Sequence, residues 1–361
     1  MTEKKLIEHL FRIEFGKIVA VLCKTFGLST IQIAEDIVSD TFLLASETWG
    51  LKGVPNEPKA WLYKVAINNT KDFLKRDLLF HSKIKPYLEE TQTSIYSLNV
   101  DFSESNISDS QLQMLFAICD PAISKSLQIS LALRILCGFS VDEIANAFLC
   151  KKGVINKRLY RAKIKLRENT KKLSFPDDVE LNNRIESVLS VIYLLFNEGY
   201  YSSVNDRPIR KDLCLEALRL GNLLRTYKPT QIPQVSALLA LMCFHLSRFE
   251  ARLNNASEQI LYYEQDKSKW DFQLIEKGIL FLSESACGKN ITKYHLEAGI
   301  SYWHTTVDDS QEKWDNVLQL YNQLLQIEYS PVVALNRTYA FSKVHGKEQA
   351  LKEAEKISLN N

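Results

Sequence analysis

A chain of 361 residues with 46% hydrophobic and 24% charged residues is long enough for two or three domains that each bury a core, and too apolar to stay disordered. Its net charge of +2 gives no uniform attraction for nucleic acid, so any such surface has to be local. No apolar run approaches the roughly 18 residues of a membrane span, and the N-terminus, MTEKKLIEHLFRIEF, lacks the pattern of a secretion signal, so we expect a cytoplasmic protein with no membrane partner.

Seven cysteines, at 23, 119, 137, 150, 214, 243 and 287, stand singly in apolar or helical surroundings, with no C-x-x-C pair and no histidine at ligand spacing. They read as buried thiols, and neither a metal nor another cofactor is expected. Glycine is scarce, no Gly-rich phosphate loop occurs, and the prolines cluster at element boundaries. An all-α fold fits best.

Residues 1–76 predict a helical unit of about four helices. In the first, over 6–25, Phe11, Phe15, Ile18, Val19 and Leu22 form an apolar stripe. A second starts near Ile31, with Ala34, Ile37, Val38, Thr41 and Ala45 on one face and Asp36 and Asp40, four apart, together on another. Taken by itself that acidic edge reads as a solvated face. The segment GLKGVPNEPKA holds two Gly and two Pro and predicts a loop, followed by the helix PKAWLYKVAINNTKDFLKR with Leu62, Val65, Ala66 and Phe73 as its buried positions. Its other positions, Trp61, Tyr63, Lys64, Asn68, Asn69, Lys71, Lys75 and Arg76, mix aromatics, amides and cations. That mixture suits single-stranded or melting DNA, where rings stack on bases and cations hold the backbone. Taken alone, Trp61 reads as a core residue before it reads as a wedge.

Residues 77–108 turn polar and acidic and read as a linker. A second helical domain over 109–172 follows, with helices at 109–118 and 124–137 leading into SVDEIANAFLCKKGVINKRLYRAKIKLR. Here Ser140 and Glu143 make a capping box before Ile144, Ala145 and Phe148, 150–153 breaks the pattern, and Ile155, Leu159, Ala162 and Leu166 form the buried stripe of a second helix. This is the pattern of a helix-turn-helix. The other positions, Asn156, Lys157, Arg158, Arg161, Lys163, Lys165 and Arg167, give a cationic face suited to a major groove. Between 134 and 172 eleven Lys or Arg stand against three Asp or Glu, so the basicity missing from the whole chain is concentrated here.

From 175 to the end, twenty basic residues face twenty-four acidic ones, which is no nucleic-acid surface. Helices are expected at about 179–197, 211–227, 232–248, 267–284, 291–305, 313–327 and 331–344, joined by short turns. The spacing Trp314, Val317, Tyr321 echoes a degenerate tetratricopeptide repeat, and an α-solenoid of stacked hairpins fits. Acid and base groups for catalysis can be picked out, His295 and His304 with Glu297, or Glu198 beside Tyr200 and Tyr201, but their spacing gives catalysis no support, and we expect no enzyme.

The order of AEDIVSDTF, PKAWLYKVAINNTKDFLKR, an acidic linker and a basic helix-turn-helix ending RLYRAKIKLRE resembles the bacterial sigma-70 family in its extracytoplasmic-function branch. LFAICDPAISKSLQISLALRILCGFSVDEIANAFL, together with NEGYYSS, CLEALRLGNLL, ALLALMCFHLSRFEAR, YYEQDKSKWD and SPVVALNR, resembles the subgroup with a large C-terminal extension. The resemblance implies sigma region 2 at 1–76, region 4 at 109–172 and a TPR-like extension at 175–361. It implies that Asp36, Ser39, Asp40 and Phe42 dock on the β′ clamp helices of core RNA polymerase, with the β flap as a further contact. The loop at 51–58 and the helix carrying Trp61 to Arg76 would then open and read the minus-10 element of promoter DNA. Lys151, Lys152, Asn156, Lys157, Arg158, Arg161 and Lys165 would read the minus-35 element, with Asn156, Lys157 and Arg158 setting promoter choice. The extension would receive a regulator protein, the polymerase or region 2. Two other readings stand beside this one, a helix-turn-helix regulator acting without polymerase and a helical interaction scaffold.

Overall fold

A computed structural model describes residues 3–82, 100–101, 103–169, 172–200, 210–252, 260–288 and 290–357. The body of the expected linker (83–99) and Tyr201 lie outside the described residues. Among those described the chain is all-α, with fifteen α-helices and no strand. None of these helices is long and apolar enough to cross a membrane. The chain divides into two compact units, Met1–Val191 and Ile192–Asn361.

In the first unit, α1 (Glu3–Phe26), α2 (Ile31–Lys52) and α3 (Pro58–Ser82) pack on one another. Their cores follow from helical periodicity: Phe15, Ile18, Val19 and Leu22 are buried on α1, and Ala34, Ile37, Val38, Thr41 and Ala45 on α2. The short turn before α2 is opened by Gly27 at φ 91°, a left-handed conformation that glycine adopts without strain. Helix α3 runs on to Ser82, past the expected start of the linker at 77, and α4 (Glu104–Ile118) begins five residues before the expected 109. Ser103 is the reason, since its side chain accepts the Asn106 N–H and caps the helix there.

Helix α5 (Lys125–Leu131) continues into a π-helical segment, Ala132–Leu136, where the sequence suggested one regular helix. The widened turn is where α1 arrives. A Cβ added to Gly16 would come within 2.5 Å of the Leu136 carbonyl oxygen and 2.6 Å of that of Ile135, so only glycine admits this approach. Helices α6 (Val141–Ala147) and α7 (Lys152–Asn169) follow, α7 packing on both α5 and α6. The two helical groups of this unit thus share one packed body, joined where α1 meets α4 and the π-helical segment.

The division between units falls within α8 (Asp178–Tyr200). In the second unit, α9 (Lys211–Leu224), α10 (Pro233–Ser247), α11 (Phe272–Ser285), α12 (Lys293–Trp303), α13 (Gln311–Ile327), α14 (Pro331–His345) and α15 (Lys347–Ala354) follow closely the ranges that periodicity gives, with α15 as an addition. The 267–271 stretch departs, forming a 3-10 turn before Asp271 caps α11 through the Leu274 N–H. Each helix from α9 packs on its successor, and α10, buried nearly all round, also packs on α12. Five cysteines are buried, Cys150 is half-buried and Cys287, against expectation, is exposed at the end of α11. Burial pushes the Cys119 and Cys214 thiols up to about 12.

Candidate nucleic-acid interface

The helix-turn-helix is built from its cap outward. Ser140 Oγ accepts the Glu143 N–H at 3.2 Å, and the Glu143 carboxylate accepts the Ser140 N–H at 2.8 Å, so the box read from sequence is formed. Glu143 also pairs with Arg12 of α1, whose guanidinium lies over the Phe139 ring at 4.1 Å. Partial burial works against the Glu143 carboxylate, but the hydrogen bonds from Ser140 and Arg12 hold it below its ordinary range. The turn differs from the sequence reading. The left-handed residue is Leu149, at φ 50°, while Gly153 lies in the first turn of α7, so the break falls at 148–151. The Leu149 and Cys150 amides reach back to the carbonyls of Asn146 and Ala145, and these bonds hold a non-glycine residue in that conformation.

On α7 the buried residues are Ile155, Leu159, Ala162 and Leu166. Lys151, Lys152, Asn156, Lys157, Arg161 and Lys165 are exposed, and Arg158 is half-buried. Lys152 pairs with Asp142 at 2.8 Å, tying the start of α7 to α6. Lys163 leaves the outward face altogether, because its ammonium pairs with buried Glu35 of α2. Sequence reasoning passed over Val154 and Tyr160, which stand 41% and 62% exposed among the cations. Their position off the buried stripe was the available signal: a large apolar side chain on a basic helix face can meet a thymine methyl or a sugar.

On α3, Leu62 and Ala66 are buried and Val65 and Phe73 half-buried. Lys64, Asn68 and Lys71 line a cavity of about 560 Å³, with Glu14 and Tyr63 also in its wall. Trp61, Asn69, Lys75 and Arg76 lie outside that cavity, Trp61 half-buried with its ring edge-to-face on Trp49 at 5.5 Å. Tyr63 is buried, and its hydroxyl donates to the Glu14 carboxylate at 3.0 Å. Glu14 is itself buried and takes Lys17 and Lys59 at 3.2 Å each. Burial and the Glu14 charge both raise the Tyr63 phenol.

On α2, Asp36 and Asp40 are exposed, Ser39 is half-buried with its hydroxyl on the Glu35 carbonyl, and Phe42 is buried edge-to-face on Phe11 at 5.0 Å. Burial first, then the charges of Glu35 and Asp40, raise the Asp36 carboxyl. Leu43 and Leu44 continue this face, 60% and 41% exposed, so the acidic edge is joined to an apolar one that charge spacing alone did not indicate.

In the second unit, tertiary packing gathers several residues that sequence spacing kept apart. Tyr200, Glu297 and His304 line one cavity, whereas His295 caps α12, its Nδ1 accepting the Thr292 N–H at 3.1 Å. Glu198 stands apart from that cavity, its carboxyl raised by burial.

An all-α chain with a capped helix-turn-helix and an exposed basic second helix is thus defined. It belongs to the same family as the uncharacterized protein R00370 of Rhizobium meliloti (strain 1021), to which it is 31% identical over 332 residues, 91% of this chain and 78% of that protein. Residues 184–286 match a family of unknown function, DUF6596. The chain is also similar, 24% identical over 152 residues, to the ECF RNA polymerase sigma-E factor of Haemophilus influenzae, an alignment that spans 39% of this chain and 78% of that factor. No solved structure matches it.

Proposed function

We propose that this chain is an alternative sigma factor of the extracytoplasmic-function branch, which binds core RNA polymerase, reads minus-10 and minus-35 elements and directs transcription initiation without catalysing a reaction itself. The observation that carries the reading is the face of α7, where Asn156, Lys157, Arg161 and Lys165 stand exposed on a helix anchored by its opposite stripe. The similarity to a sigma-E factor supports it, as does the exposed acidic and leucine-bearing edge of α2, which suits a protein partner. In this reading Lys64, Asn68 and Lys71 meet the strand opened at minus 10, and the second unit is a TPR-like extension that receives a regulator.

The test is run-off transcription with purified core polymerase on a promoter library, with and without the protein. New start sites sharing two spaced elements are expected. Duplex binding without core polymerase and no new start sites would instead mean a conventional helix-turn-helix regulator, and no binding to either would mean a scaffold.

A further inference from the structure

The second unit holds a cavity of about 550 Å³ whose walls carry Tyr200, Tyr262, Trp314, Tyr321 and Tyr339. Into it faces Arg248, the residue that ends α10, which is 7% exposed. Its guanidinium lies 5.5 Å from the Tyr262 ring, and among the described residues no carboxylate or carbonyl accepts from it; its Nε is buried without a partner. The contrast with Lys313, buried close by, is direct. The Lys313 ammonium donates to the Tyr262 hydroxyl at 3.0 Å and to the carbonyls of Asp308 and Thr306 at 3.1 and 3.4 Å. A buried charge is ordinarily paired or fully hydrogen-bonded, because its lost hydration is otherwise uncompensated. Arg248 is neither.

Nothing else lining the cavity supplies the missing anion. Glu297, the one carboxyl there among the described residues, accepts from the Tyr193 hydroxyl at 3.1 Å, and burial pushes it up to about 7. His304 is driven down to about 3 by burial and by the charges of Arg248 and Lys313, so it stays neutral. A second polar atom is also unmatched: Gln265 Oε1 is buried at the cavity with no donor. The site therefore offers the unpaired Arg248 guanidinium, a second guanidinium on Arg252 that is engaged with the Tyr200 carbonyl and ring, unmatched polar atoms on Gln265 and His304, and several ring faces, in a volume that suits a small molecule.

We propose that this cavity binds a small aromatic carboxylic acid bearing a hydroxyl or N–H donor, its carboxylate on the Arg248 guanidinium, its ring among the tyrosines and Trp314, and its donor on Gln265 Oε1. A carboxylate matches a single guanidinium in charge and in its planar, two-pronged geometry. A phosphate dianion would need a second open cation, and Arg252 is already engaged with the Tyr200 carbonyl and ring.

The experiment uses the full chain, with binding read by calorimetry and by the fluorescence change of the cavity tryptophan. The probes are 4-hydroxyphenylacetate and indole-3-acetate, with phenylacetate, the neutral 4-hydroxyphenylacetamide and phenyl phosphate for comparison. Both donor-bearing acids are expected to bind saturably, and the amide at least tenfold more weakly. Arg248→Met is expected to weaken the acids at least tenfold while leaving the thermal midpoint equal or higher, since it removes an unpaired buried charge. Gln265→Leu is expected to weaken 4-hydroxyphenylacetate several-fold and leave phenylacetate unchanged, and Arg225→Met, at a surface pair with Glu284, to change nothing. Absence of binding by both donor-bearing acids, amide and acid binding alike, equal affinity of wild type and R248M, or tighter binding of phenyl phosphate than of the acids would each overturn the proposal.

Discussion

Glu35 of α2 lies 2.8 Å from the Nε of Arg134 in the π-helical segment, and the same carboxylate pairs with Lys163 of α7. It is 2% exposed, so one buried anion ties together three elements far apart in sequence. The Arg134 guanidinium also donates to the Phe139 carbonyl at 3.1 Å, which fixes the approach to the helix-turn-helix.

Removing one partner of a buried ion pair leaves the others uncompensated, at about 3–5 kcal/mol. Glu35→Gln should therefore lower stability by that order, whereas Glu47→Gln, on the exposed side of α2, should leave it unchanged. Urea unfolding followed by circular dichroism measures both, and equal midpoints for E35Q and wild type would contradict the role given to this carboxylate.

Two glycines should respond in opposite directions. Gly16→Ala drives a methyl into the Leu136 and Ile135 carbonyls and should destabilise by about 1–3 kcal/mol or more. Gly153→Ala meets nothing within 4 Å in the first turn of α7 and should stabilise by about 0.4–1 kcal/mol. Denaturant midpoints of the two variants check the pair in one experiment.

Within the proposed function, the exposed cations of α7 divide by role. Arg161→Ala should weaken every promoter alike and reduce the slope of log affinity against log salt by about 0.9, the share of one phosphate contact. Asn156→Ala and Lys157→Ala should change the preferred minus-35 sequence, shifting discrimination by about 1–3 kcal/mol at single positions. Binding selections on randomised duplexes at several salt concentrations separate these outcomes, and uniform loss from all three variants would remove the assignment of Asn156 and Lys157 to base reading.

Glu297 gives the second unit a pH dependence of definite sign. Its carboxyl is raised to about 7 in the folded chain by burial, against an unfolded value near 4.5. Below the lower value both states are protonated and the contribution is fully present. Between the two values only the unfolded chain has released the proton, so stability falls as pH rises, with a limiting slope of about 1.4 kcal/mol per pH unit. The difference between wild type and Glu297→Gln, measured by thermal unfolding from pH 4 to pH 8, should widen in favour of E297Q over that window and level off above it.

The sequence by itself determined what repeats at helical spacing or is held by near neighbours. The stripe Ile155, Leu159, Ala162, Leu166, the Ser140–Glu143 box and the order of the C-terminal helices are of this kind, because burial of one helix face and satisfaction of its first N–H groups depend on residues three or four apart. Only the tertiary structure decided which polar residues are spent inside. Lys163 reads as one more outward cation until Glu35 is placed beside it, and Tyr63 reads as a base-facing ring until Glu14 takes its hydroxyl. The π-helical turn and the bare side of Gly16 have meaning only together, and Arg248 is an ordinary residue at a helix end until the ring-lined cavity it borders is assembled, with Tyr262 at 5.5 Å. In each case the deciding partner comes from another element of the fold, and an unmatched charge becomes visible only once everything that surrounds it is in place.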